Sequence, residues 1–181
     1  MLNQVVELKR EVTAVQIPSG DVLTLPEGER VYITQILGGT YTVATDYGLA
    51  RISREDADAL GAEPVENSPE TVGLDKNATL EERVWDTLKC IYDPEIPVDI
   101  VDLGLIYDVT VTELENGLHH VAVKMTLTAP GCGMGPHLVM EAKDRIEALE
   151  GVEAADVDMV WDPPWNQEMV SEEGKMKLGL I

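Results

Sequence analysis

The stretch Met125-Thr126-Leu127-Thr128-Ala129-Pro130-Gly131-Cys132-Gly133-Met134-Gly135-Pro136-His137-Leu138-Val139-Met140 changes period in its middle, and that change sets the fold class. A strand-like run ends at Thr128, three glycines and two prolines break the chain, and apolar residues at helical spacing begin near Pro136. The helix so announced would bury Leu138, Ala142, Ile146 and Leu149 and stop at Gly151. Upstream, Tyr107, Val109 and Val111 alternate with Asp108, Thr110 and Thr112 in a strand over 105–113. Glu115-Asn116-Gly117 turns that strand into a partner carrying Val121, Val123, Met125 and Leu127 on one face. Val157, Met159 and Trp161 read as a third strand, and residues 168–178 as a short final helix. Further upstream, Thr79 and Glu82 have capping-box spacing, and Leu80, Val84, Leu88 and Ile91 share one face of a helix over 80–92. The expected architecture is α+β: a compact α-β-β-α-β domain over 78–181 with a C-terminal helix.

Residues 1–62 have a different texture. Strand patterns at 12–17, 22–25, 30–37, 40–44 and 49–52 are punctuated by Pro18-Ser19-Gly20-Asp21, Pro26-Glu27-Gly28 and Gly38-Gly39. They predict a small β-rich accessory unit, a meander or small barrel, closed by a helix over 54–60 with Ser53 as its N-cap and Gly61 as its stop. Between the two patterned regions, residues 63–77 lose periodicity and gather Pro64, Asn67, Ser68, Pro69 and Gly73, the composition of a linker.

Composition narrows the function. With 181 residues and 44% hydrophobic side chains the chain can build a core, and with 4% aromatics and no Phe that core must be aliphatic. A formal charge of -21, spread over both regions, repels phosphate backbones and anionic lipid, so neither nucleic acid nor a membrane is an expected partner. Two cysteines make no disulfide framework, and with no bilayer-length apolar run and no leader pattern the expected compartment is the reducing cytoplasm.

Cys132 carries the chemistry. Placed just before a helix N-terminus, its thiol would meet unpaired N–H groups and the positive end of the helix dipole, which favour thiolate. A phosphate-cradling role for Gly131, Gly133 and Gly135 lacks the Lys or Arg and the spacing such loops carry. A thiol enzyme acting on a small electrophile would use His137, in the first helical turn, as base, but no orienting group or oxyanion site is evident. A single cysteine cannot complete a zinc or iron-sulfur ligand set, so metal chemistry here would borrow ligands from a second subunit, a client or a small thiol. The inert alternative has Cys132 filling a tight turn in a purely structural adaptor. Asp93-Pro94-Glu95-Ile96-Pro97-Val98-Asp99-Ile100-Val101-Asp102 adds four carboxylates in a stiff segment, which either turn the backbone or lie beside Cys132. Cys90 falls off its helix's apolar stripe, and His119 and His120 lie near a hairpin tip. Trp161 and Trp165, flanking Asp162-Pro163-Pro164, mark a packed lid or a partner-binding knob.

The run from Asp93 through Tyr107, the run Thr126-Leu127-Thr128-Ala129-Pro130-Gly131-Cys132 and the ending Val160-Trp161-Asp162-Pro163-Pro164-Trp165-Asn166 together resemble the iron-sulfur assembly accessory proteins of the SufT type, whose domain is shared with PaaD-like proteins and eukaryotic cytosolic iron-sulfur targeting factors. The resemblance implies a non-enzymatic adaptor or transient carrier in iron-sulfur protein maturation. Its implied partners are the assembly machinery and apo client proteins, with a homo-oligomer as a further option. It makes Cys132 the reactive thiol and metal or cluster ligand, with a transient cluster or iron as cargo, and it assigns supporting roles to Asp93, Glu95, Asp102, Thr126 and Thr128. Gly131, Gly133 and His137 complete the expected site, and Trp161 and Trp165 its partner-facing edge.

Overall fold

A computed structural model describes residues 2–63 and 77–181. The linker expected over 63–77 lies, apart from its two end residues, outside the described residues. The chain forms two units, 1–72 and 73–181.

The first unit is an antiparallel sheet of β1 (Val5–Glu7), β2 (Val12–Gln16), β3 (Val22–Leu25), β4 (Arg30–Leu37), β5 (Thr40–Thr45) and β6 (Gly48–Ile52). Alternation decides which residues face inward: Val31 and Ile33 of β4 and Val43 of β5 are buried, while Tyr32 between the first two points outward. Gly38 and Gly39, at φ 57° and 76°, supply the two positive-φ residues that a tight β4–β5 hairpin requires. The strand order β1-β4-β5-β6-β2-β3 departs from the sequential order of a meander, one of the two forms expected. The difference arises because β2 pairs with β6, aligning Val15 with Arg51, a match between distant segments that no local pattern encodes. β1 is a further strand without a sequence signal, three residues long and paired to β4. The segment Arg54–Leu60 is a 3-10 helix stopped by Gly61 at φ 75°. Ser53 is its N-cap, with Asp56 N donating to the Ser53 carbonyl at 3.1 Å, but the hydroxyl makes no cap bond and donates to Asp56 Oδ2 at 3.0 Å. Lys9 N donates to Ala59 O, and Arg10 forks onto Asp56 and Asp58 at 2.7–2.8 Å, so the β1–β2 connection is tied to the 3-10 helix.

In the second unit, α1 (Leu80–Leu88) opens with both bonds of the capping box: Glu82 N to Thr79 Oγ1 at 3.2 Å and Thr79 N to Glu82 Oε2 at 2.7 Å. It stops four residues short of the expected Tyr92, because the chain turns at Lys89 and Tyr92 forms a bridge with Asp99. Strands β7 (Ile106–Glu113) and β8 (His119–Met125) form the expected hairpin. Helix α2 (Gly135–Glu147) then crosses over to β9 (Val152–Met159), which lies parallel to β8, giving the order β7-β8-β9. The strand thus ends at Met125 and not at Thr128, and Trp161 falls beyond β9. The expected final helix is split into a 3-10 turn, Gln167–Met169, and α3 (Glu172–Lys177), because Ser171 starts a new N-terminus by accepting from Gly174 N at 3.0 Å. The core is aliphatic, joining Val84 and Leu88 of α1, Val121 and Val123 of β8, and Leu138 and Ile146 of α2. The α+β class expected from the sequence is the class observed.

Candidate functional site

Three segments converge at one end of the three-stranded sheet. Strands β8 and β9 run parallel, so their C-terminal ends lie side by side, with Met125 aligned to Met159. The antiparallel β7 starts at the same end, with Ile106 opposite Met125. The loop 126–134, the chain after Met159 and the acidic segment before Leu105 therefore gather there, the location at which parallel sheets place their ligand-handling loops. Backbone bonds stitch the three together: Thr126 N donates to Leu105 O, and Val160 N to Met125 O, both at 2.8 Å.

Cys132 is half-buried against the core, and its carbonyl accepts from Gly135 N at 3.1 Å. The N-cap of α2 is Met134, in helical conformation, so the thiol stands two residues before the cap and not next to the first turn. Gly131 adopts φ 82° and is exposed, while Gly133 is half-buried. Gly135 brings the helix hard against Leu127: an added Cβ would lie 2.7 Å from Leu127 Cδ1. Thr126 is 1% exposed with a hydroxyl that has no hydrogen-bond partner, and Thr128 is half-buried. His137 is the third residue of α2 and half-buried.

The carboxylates divide by role. Asp93 is buried and its Oδ1 accepts from Glu95 N at 2.9 Å and Ile96 N at 3.0 Å, an Asx turn that shapes the proline segment. Glu95 is exposed. Asp99 is 3% exposed and accepts from Val101 N at 3.1 Å and Asp102 N at 2.9 Å. Asp102 binds the C-terminal segment, accepting from Ser171 Oγ at 2.9 Å and Lys177 Nζ at 3.0 Å. Burial, added to by neighbouring Asp102, pushes the Asp99 carboxyl up from its ordinary range. Burial also opposes the charge on Asp102, but the Lys177 and Ser171 hydrogen bonds outweigh it and hold that carboxyl low. Lys177 is raised in turn, chiefly by its bond to Asp102.

The two tryptophans part company. Trp165 is half-buried and donates Nε1–H to Leu103 O at 2.6 Å, whereas Trp161 is 46% exposed. Tyr107 completes the attachment by donating its hydroxyl to Pro163 O at 2.6 Å. The stiff tail is therefore a strap over the acidic turn. Asp99, Ser171 and Lys177 were not among the expected site residues. Asp99 was visible as one of four carboxylates, but nothing in the local sequence ties it to Lys177, far along the chain. Elsewhere, Cys90 Sγ is 3.4 Å from Asp86 O, and His120 Nε2 is 2.8 Å from Asp156 Oδ2 at the far end of β8. Among the described residues no group of three or more His, Cys, Asp or Glu side chains is close enough to hold a metal ion, so Cys132 is not joined by two of the expected acids or His137 in one ligand set. No described helix is long and apolar enough to cross a membrane.

Comparison with known proteins places this unit. A family model described as iron-sulfur cluster assembly protein matches residues 81–158. An "Fe-S protein maturation auxiliary factor" of Porphyromonas gingivalis is 41% identical over 101 residues, covering 56% of this chain and 92% of that protein. The factor YitW of Bacillus subtilis, with the same description, is 42% identical over 101 residues, covering 56% and 95%. Among solved structures, a domain of unknown function from Bacillus anthracis aligns with a TM-score of 0.50 at 37% identity, covering 56% of this chain and 93% of that one. With these two factors matched over nearly their whole length, and the SufT factor of Staphylococcus aureus matched over 98% of its own at 39% identity, the chain belongs to the iron-sulfur cluster assembly protein family.

Proposed function

We propose that this protein is an accessory factor in the maturation of iron-sulfur proteins, an adaptor or transient carrier that works through Cys132 in the cytoplasm and catalyses no turnover of its own. The observation that carries the reading is the position of the Cys132 loop. It leaves the C-terminal end of β8 beside the end of β9, in the unit that aligns with the maturation factors of Porphyromonas and Bacillus. A thiol there is half-buried and backed by core, so it is presented from a rigid support. In this reading the cluster or iron is cargo: one cysteine supplies one ligand, and the others come from the assembly machinery, an apo client or a second copy of the chain.

The test is a Cys132→Ala strain grown under iron limitation, with the activities of cluster-dependent enzymes as readout. Those activities should fall relative to the parent. Equal activities in the two strains would end the idea of a working thiol and leave the chain as a structural adaptor. Anaerobic incubation of the purified protein with iron and sulfide separates carrier from adaptor: visible absorbance in the parent that is lost in the variant marks a carrier.

A further inference from the structure

The segment after β9 grips three successive residues of the acidic turn. Asp102 receives Ser171 N on its carbonyl at 2.8 Å, and Ser171 Oγ and Lys177 Nζ on its carboxylate. Leu103 O receives the Trp165 indole N–H. Gly104, at φ 75°, lies directly under the Met169 carbonyl, where a Cβ would overlap the oxygen and sit 2.8 Å from the carbonyl carbon. Gly174 answers from the other side, its Cα facing the Asp102 carbonyl so closely that a Cβ would stand 3.0 Å from that oxygen. Two glycines packed against opposing backbone let the strap and the turn meet without side chains between them. Lys177 also lies 3.7 Å from Asp99 Oδ2, so one ammonium spans two neighbouring carboxylates.

The clamped turn leads to the cysteine loop by an unbroken set of contacts. Leu105, next after Gly104, accepts Thr126 N through its carbonyl. Leu127, the following residue, packs on Gly135 at the start of α2, and Gly135 N is bound by the Cys132 carbonyl. We propose that Trp165 and Lys177 are positioning residues for Cys132: by fixing the Asp102–Gly104 turn, the strap fixes the loop that presents the thiol. The inference rests on the reading of Cys132 as the working group, and it assigns the C-terminal strap to the functional site. Such a contact chain transmits only if a change at one end is felt at the other, which is a measurable coupling.

The readout is the rate at which iodoacetamide alkylates Cys132 in a Cys90→Ser background. Lys177→Gln should raise that rate about threefold or more, the scale of coupling carried by packed networks of this kind, while Lys177→Arg, which keeps the charge and the reach, restores the parent rate. Trp165→Phe, which keeps the ring and removes the N–H, should raise the rate in the same direction. Tryptophan fluorescence of each variant confirms that the unit is folded. Alkylation at the parent rate in folded Lys177→Gln and Trp165→Phe overturns the proposal. The two readings fail separately. A faster thiol in Lys177→Gln, in a protein whose Cys132→Ala form still supports maturation, upholds the clamp and removes the function; an unchanged thiol with defective Cys132→Ala does the reverse.

Discussion

Substituting Gly104 by Ala tests the strap where its backbone comes closest to the turn. Two effects add. An L-residue held at φ 75° costs about 1–2 kcal/mol relative to glycine. The new methyl must also displace the Met169 backbone, since a Cβ would overlap its carbonyl oxygen and stand 2.9 Å from its Cβ. Moving that backbone loosens the Trp165–Leu103 hydrogen bond, worth about 1 kcal/mol, and part of the packing of Trp165 and of Val170, which is 4% exposed, worth about 1 kcal/mol more. The expected loss is about 3–4 kcal/mol. Gly117→Ala is the control: Gly117 has φ 82° and no heavy atom near its missing Cβ, so only the backbone strain of about 1–2 kcal/mol applies. Urea unfolding followed by tryptophan fluorescence reads this unit alone, because Trp85, Trp161 and Trp165 are the chain's three tryptophans and all belong to it. Equal losses in Gly104→Ala and Gly117→Ala would refute the claim that strap and turn are in backbone contact.

Asp99 and Asp102 should leave opposite marks on the pH dependence of stability. Asp99 is raised by burial, so its contribution is present below the ordinary carboxylate range and is lost as pH rises through its elevated value; Asp102 is lowered, so its contribution is present above that range and is lost as pH falls. Asp99→Asn keeps the oxygen that accepts from Val101 and Asp102 but removes the ionisation. Its urea midpoint should therefore gain on the parent's as pH rises from about 4 to 7, and a constant difference across that range would show that Asp99 is not perturbed. Thr79→Ala removes one arm of the α1 capping box and should cost about 1 kcal/mol by the same unfolding assay; a loss within error would mean that the cap is replaced by solvent.

What the sequence made legible was local. The capping box at Thr79, the Asn116-Gly117 hairpin and the apolar face of α2 are each encoded within a few residues; the first two form as read, and the third buries Leu138, Ala142 and Ile146 in a helix that ends at Glu147, before the expected Leu149. Element ends were harder where a side chain intervenes. Ser171 splits the last helix because its hydroxyl can cap a new start, an option that hydrophobic periodicity does not register. Long-range pairing was out of reach: β2 with β6, and Lys177 with Asp102, depend on matches between segments whose own patterns are silent about partners. For the site, Cys132 and the carboxylates were visible as residue types. Their division into turn-formers and strap-binders became visible only with the hydrogen bonds of Asp93 and Asp102.

The strand order of the first unit has a consequence for the timing of its assembly. A chain that emerges from its N-terminus delivers β1 and β2 early, yet β1 has no partner until β4 exists, and β2 gains its second neighbour only with β6. The bonds from Lys9 and Arg10 to residues 56–59 cannot close until the 3-10 helix after β6 has been made. β1 must thus stay unpaired until β4 is made, the β2–β3 pair must wait for β6 to join the rest, and the sheet should close late and cooperatively, as folds built on distant contacts do. A ribosome-stalled chain cut short before Gly48 would hold five of the six strands, yet it would lack both the β6 that joins β5 to β2 and the contacts of residues 56–59 that seal the sheet.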